Sequence, residues 1–90
     1  MTVMISQVKN YRETARITQT ELAELVHVRR ETIGHLEIGK YNPSLKLAMD
    51  IAHVLNAKVE DLFNFVEIPE ETLKPLRERD YGVQNKGVLA

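Results

Sequence analysis

Apolar residues in the first two thirds of the chain recur at helical spacing, in short runs that are repeatedly interrupted. Val8, Tyr11, Arg12 and Ala15 fall on one helical face, which predicts a first helix from Ser6, its cap, to Ala15. Leu22, Ala23, Leu25 and Val26 form the stripe of a second helix. It opens at Thr18, with Glu21 three residues later, the capping-box pattern in which each side chain accepts from an otherwise unpaired backbone N–H. His27-Val28-Arg29 breaks the period. It resumes at Arg30, with Ile33 and Leu36 inward and Arg30, Glu31, Gly34 and His35 outward, until Gly39 supplies a left-handed stop. Ser44 caps a fourth helix whose Leu45, Ala48, Met49, Ala52 and Leu55 share a face, and Asn56 ends it. Val59 to Phe63 reads as a short fifth helix, with Glu60 and Asp61 near its positive N-terminal end.

The period changes on both sides of this block. Thr2-Val3-Met4-Ile5 and Phe65-Val66-Glu67-Ile68 are rich in β-branched and large apolar residues, which suits two short strands. The ends of a compact helical domain often lie close together, so the two segments are expected to pair antiparallel. Such a ribbon is marginally stable alone and favours a second copy to pack against, which makes Val3, Ile5, Phe65, Val66 and Ile68 the expected dimer contacts. The competing reading is two frayed termini with incidental apolar residues. Beyond Ile68, Pro75 interrupts Leu73, Leu76 and Arg77, and Tyr81-Gly82 and Asn85-Lys86-Gly87 favour turns. The chain therefore divides into a domain over 1–68 and a tail over 69–90 that is either partly disordered or ordered by a partner.

Composition narrows the function classes. Ninety residues, 43% hydrophobic and without cysteine, predict one small intracellular domain with neither a disulfide nor a structural zinc site. No apolar run approaches a bilayer span, and Met1 to Ile5 is too short and uncharged for a signal peptide, so a soluble cytoplasmic protein is expected. His27, His35 and His53 are spaced unlike any metal motif, and neither a Gly-rich phosphate loop nor a nucleophile–base arrangement stands out. That pattern predicts no enzyme, no cofactor and no metal. The net charge of −1 hides a division along the chain: residues 1–46 carry seven basic and five acidic side chains, residues 47–71 one and six, residues 72–90 four and two. A basic face is therefore compatible with an acidic average, and binding to nucleic acid needs only the face.

From Thr18 to Pro43 the chain reads as two short helices joined by a turn so tight that it holds them at a fixed angle, a geometry that presents the second helix to a DNA groove. These residues resemble the phage-repressor/Cro-type helix-turn-helix family, the XRE family. In that family one helix opens Thr/Ser-Gln-x-Glu-Leu-Ala and the recognition helix ends Ile-x-x-Ile/Leu-Glu-x-Gly-Lys-Tyr-x-Pro. The chain has Thr18-Gln19-Thr20-Glu21-Leu22-Ala23 and Ile33-Gly34-His35-Leu36-Glu37-Ile38-Gly39-Lys40-Tyr41-Asn42-Pro43. The resemblance runs from about Val8 to Phe63. It implies an all-α, five-helix, lambda-repressor-like DNA-binding domain, extended here by the two-stranded ribbon, and a salt bridge between Arg12 and Glu37. Three positions depart from the family pattern. His27 stands where Gly is usual, Arg29 replaces a Ser or Thr cap, and Glu31 replaces the commoner Gln, so the operator cannot be transferred by analogy.

The chemistry of base reading then assigns roles within the recognition helix, 30–38. An Arg fork matches O6 and N7 of guanine, which makes Arg30 the first candidate for a base contact and Arg29 the second. Glu31 can accept from cytosine N4, or can pair with Arg30 or face water. Thr32 can touch a thymine methyl, Gly34 lets the backbone approach the groove, and His35, one turn after Glu31, faces the groove or is simply solvated. Gln19, Lys40, Tyr41 and Asn42 are the expected phosphate contacts, with Ser44 and Lys46 weaker candidates and Tyr41 alternatively a packing residue. The expected partners are double-stranded DNA and a second copy of the chain, in a homodimeric transcriptional regulator, more often a repressor. The alternative is an antitoxin- or antirepressor-like module whose tail grips a protein.

Overall fold

A computed structural model describes residues 1–69, and its elements run β1 (Thr2–Ser6), α1 (Val8–Thr14), α2 (Gln19–Leu25), α3 (Arg30–Glu37), α4 (Leu45–Val54), α5 (Val59–Leu62) and β2 (Phe63–Glu67). The expected tail lies, apart from Pro69, outside the described residues. Two helix starts are set by local side chains. Thr18 Oγ1 accepts from the Glu21 N–H at 3.0 Å while Glu21 Oε1 accepts from the Thr18 N–H at 2.8 Å, and Ser44 Oγ accepts from the Leu47 N–H at 3.1 Å.

Four helices stop in the same way. Arg16, His27, Gly39 and Asn56 adopt positive φ values of 60°, 63°, 80° and 54°. In each case that residue's N–H bonds back three residues and the next N–H bonds back five: Ile17 to the Arg12 carbonyl, Val28 to Ala23, Lys40 to His35 and Ala57 to Ala52. This double closure satisfies carbonyls that a helix end leaves unpaired, and the apolar residues that follow, Ile17, Val28 and Ala57, fold back onto the core. Three of the four left-handed positions are not glycine, so each carries a conformational cost of roughly 1 kcal/mol. Gly39 is different, because a Cβ there would stand 2.9 Å from the Met4 carbonyl oxygen. Only glycine fits between the end of α3 and β1.

The core that these stops enclose centres on Val8, Leu22, Ile33, Leu36, Ile51 and Leu62, all fully buried. Several sequence expectations about inward faces need correction. Tyr11 and Ala15 are exposed, so α1 buries only Val8 and Arg12. Leu25 is exposed, and α2 buries Leu22, Ala23 and Val26. In α4 the buried face is Leu47, Ala48, Ile51, Ala52 and Leu55, while Leu45 and Met49 face out. That helix is apolar nearly all round, and spacing alone does not choose between two faces sharing Ala48, Ala52 and Leu55. Contacts with α2 and α5 make the choice.

The termini form the ribbon. β1 and β2 pair antiparallel from Thr2 opposite Glu67 to Ser6 opposite Phe63. The Met1 ammonium and the Thr2 hydroxyl each donate to the Glu67 carboxylate at 2.6 Å, and these two bonds hold its pKa below the usual carboxylate range. Pairing also moves two element boundaries. Phe63 leaves the fifth helix with extended backbone and starts β2. Ser6 is drawn into β1, so Gln7 holds the cap position of α1 without a side-chain bond, although Ser6 Oγ still accepts from the Val8 N–H at 3.2 Å.

One ion pair crosses this core. Arg12 Nε lies 2.6 Å from Glu37 Oε2 and its Nη2 3.2 Å from Oε1, a two-bond fork, and its Nη1 donates to the Ile17 carbonyl at 2.9 Å. The side chains are 9% and 2% exposed, and the hydrogen bond to Glu37 raises the Arg12 pKa above its already high ordinary value. Removing one partner strands a buried charge, whereas removing both does not. Arg12→Met or Glu37→Leu alone should lower unfolding stability by about 3 kcal/mol or more, and the double substitution should recover most of that loss, as read from urea unfolding midpoints. Equal losses in single and double variants would show that shape, not charge pairing, governs the site.

Candidate nucleic-acid interface

The turn through His27 and Val28 delivers the chain to Arg29, which enters α3 in extended conformation and makes no side-chain cap bond. Both helices of the pair are held from below: Leu22 and Ala23 of α2 and Ile33 and Leu36 of α3 are buried together. With that stripe and Glu37 turned inward, α3 leaves Arg30, Glu31 and His35 exposed and Thr32 and Gly34 half-buried beside them, with Arg29 exposed just ahead. All six residues expected to meet bases thus border one open surface, cationic at its start.

Arg30 is not loose on that surface. Its Nη1 donates to Gln19 Oε1 at 3.0 Å, and Gln19 Nε2 donates to Glu37 Oε1 at 2.9 Å. A continuous line of polar contacts therefore runs Arg12–Glu37–Gln19–Arg30, from α1 through the buried ion pair to the outer face of α3. Gly34 lies next to it; a Cβ there would meet Gln19 Nε2 at 3.9 Å and Arg30 Nη1 at 4.0 Å, an ordinary contact. Sequence reasoning assigned Gln19 to phosphate and missed this line. Gln19 and Arg30 are both first residues of their helices, and only the angle between α2 and α3 brings those two starts together. Glu31, among the described residues, makes no ion pair with Arg30.

The loop after α3 carries the other set. Lys40, Tyr41 and Asn42 are exposed between α3 and α4, and the Lys40 N–H, donating to the His35 carbonyl at 2.8 Å, pins the loop to the recognition helix. Ser44 accepts a backbone bond through Oγ and keeps its hydroxyl proton free to donate. Lys46 Nζ lies 2.7 Å from Asp50 Oδ2, but both groups are solvated, so the pair is weak and open to exchange. Glu60, Asp61 and Glu67 sit away from this face on α5 and β2, whereas Glu31 is an exposed acidic group on α3 itself.

The residues expected at a dimer contact are divided by the strand pleat. Val3, Ile5 and Val66 share one face of the ribbon, with Ile68 following on, whereas Phe65 lies opposite Met4 on the other face, next to Phe63. No single flat surface holds all five. Among the described residues no helix is long and apolar enough to cross a membrane, and no three His, Asp or Glu side chains gather in metal-binding geometry.

Comparison with known proteins agrees with this geometry. The family described as Helix-turn-helix matches residues 8–62. An uncharacterized HTH-type transcriptional regulator of Archaeoglobus fulgidus is 59% identical over 64 residues, 71% of this chain and 90% of that protein. Among solved structures, a putative DNA-binding protein from Bacteroides fragilis superposes with a TM-score of 0.63 at 28% identity, covering 68% of this chain and 98% of the other. The clp gene regulator ClgR from Corynebacterium glutamicum gives 0.57 at 31% identity over 60% of this chain, which spans 57% of that one. A tight two-helix unit bearing an exposed cationic helix, five helices in this order and relatives of this kind lead to one conclusion: the chain belongs to the XRE-type helix-turn-helix family of DNA-binding transcriptional regulators.

Proposed function

We propose that the protein is a repressor that acts as a homodimer on a near-palindromic operator, reading bases through the outer face of α3. The observation that carries this reading is the fixed presentation of Arg30, tethered by Gln19 to the buried ion pair, at the cationic end of an open helical face. Arg30 reads guanine, with Arg29 beside it, and Glu31, Thr32, Gly34 and His35 complete the base-facing set. Gln19, Lys40, Tyr41, Asn42, Ser44 and Lys46 hold the sugar-phosphate backbone and set register without carrying sequence information. Two copies related by a two-fold axis place their recognition helices about 34 Å apart in successive major grooves. The ribbon supplies apolar surface for that association through one of its two faces, which carry Phe65 on one side and Val3, Ile5 and Val66, followed by Ile68, on the other. A small domain sitting on an operator blocks polymerase with no further machinery, which favours repression.

Base readers and phosphate contacts behave differently when removed. Arg30→Ala should cost about 1–3 kcal/mol on the preferred duplex and relax the preference at one base position of each half-site. Lys40→Ala should weaken specific and random duplexes alike and flatten the salt dependence. Competition binding against single-base variants separates the two. Equal losses of Arg30→Ala on both duplex types would remove Arg30 from the reading set. Gly34→Ala offers an independent check. The position has room for a methyl group, and the change should raise helix and domain stability by about 0.5–1 kcal/mol while lowering DNA affinity, because the methyl group occupies groove-facing space. Thermal unfolding and DNA titration of one variant report both effects.

A further inference from the structure

The ribbon and α4 together leave an exposed apolar surface beside the loop that carries Asn42. Leu45 and Met49, one turn apart on α4, are 72% and 55% exposed, and Phe65 of β2 is 58% exposed. Leu45 and Phe65 line the same open cleft of about 270 Å³, floored by Met4, Pro43, Ala48 and Phe63. Apart from Asn42 its lining is apolar, which leaves too few polar groups to orient a small ligand, and it falls just below the usual size of small-molecule pockets.

We infer that this surface, and not the opposite ribbon face of Val3, Ile5 and Val66, is where a second copy of the chain docks. The inference rests on the homodimer reading above and names the interface that reading requires. Three observations select a second copy as occupant. The surface carries a projecting aromatic beside an apolar hollow, so it complements itself under a two-fold rotation: each Phe65 enters the cleft of the other copy. Its area is adequate, because the exposed parts of Leu45, Met49 and Phe65 amount to roughly 300 Å² per copy. That is the apolar centre of an interface burying about 800 Å² on each side once a polar rim is added. Its position is also right. Asn42 and Pro43 at its border belong to the loop that leaves the C-terminal end of α3, so a two-fold axis there leaves the Arg30 end of each recognition helix pointing away from the axis and free.

Sedimentation velocity of the full chain tests this, comparing wild type with Leu45→Glu/Met49→Glu and with Val66→Lys on the other ribbon face. Wild type and Val66→Lys should sediment as dimers. The α4 variant, which alters only exposed positions, should keep its helical circular dichroism while its dimer dissociation constant rises about 30-fold or more, the range expected when contacts at the centre of an interface are lost. Should the double substitution disturb the fold, Phe65→Ser carries the same test. A wild-type protein that stays monomeric at every concentration overturns the homodimer reading itself. A wild-type dimer that survives the α4 substitutions, or that dissociates in Val66→Lys, overturns the placement of the interface alone.

Discussion

Presentation of the outer face of α3 depends on the buried contact between the Arg12 guanidinium and the Glu37 carboxylate. Glu37 is the last residue of α3 and Arg12 sits on α1, so the pair fixes the far end of the recognition helix against the first helix. The same guanidinium reaches the Ile17 carbonyl, in the segment just before α2. Three parts of the domain therefore converge on one cation. A buried pair of this kind contributes little net stability over an apolar substitute, and its value lies in admitting one arrangement of the surrounding helices. If the outer face of α3 meets a groove as proposed, that restriction matters more than the energy.

From this anchor the polar line continues outward through Gln19 to Arg30. A free arginine on a helix surface samples many rotamers, and ordering it on DNA costs side-chain entropy. Holding Nη1 on Gln19 removes part of that cost in advance, and leaves the other guanidinium donors available to a base edge. Gln19 thus has a role the phosphate assignment did not include. Its carboxamide is engaged on both heavy atoms in the free protein, and one N–H remains for a further acceptor.

How much of this is legible in the chain depends on the range over which each feature is decided. The Thr18–Glu21 box, the Ser44 cap and the Gly39 stop are local, each settled within a few residues, and they can be read directly. The left-handed turn at His27 follows from the same local logic once the helices on either side are placed. The inward face of α4 is not local. Leu45, Leu47, Met49 and Ile51 are equally apolar, and packing against α2 and α5 decides that Leu47 and Ile51 go in while Leu45 and Met49 remain outside. The ribbon was legible as a pair of β-prone ends, but its register, which separates Phe65 from Val66, is set by where Ser6 and Phe63 meet. The Gln19–Arg30 contact joins residues eleven apart on different helices, and no periodicity reports it.

On the proposed function, the outer face of α3 meets base edges in the major groove, held there by the Arg12–Glu37 anchor. Methylation interference on a duplex selected by the protein tests it most directly, because a methyl group on guanine N7 blocks the major-groove edge that an arginine fork would occupy. Interference should fall at guanines in two symmetric clusters about one helical turn apart, and Arg30→Ala should erase it at one guanine of each cluster. Binding that tolerates methylation of every guanine N7, or a pattern that Arg30→Ala leaves unchanged, would contradict the account.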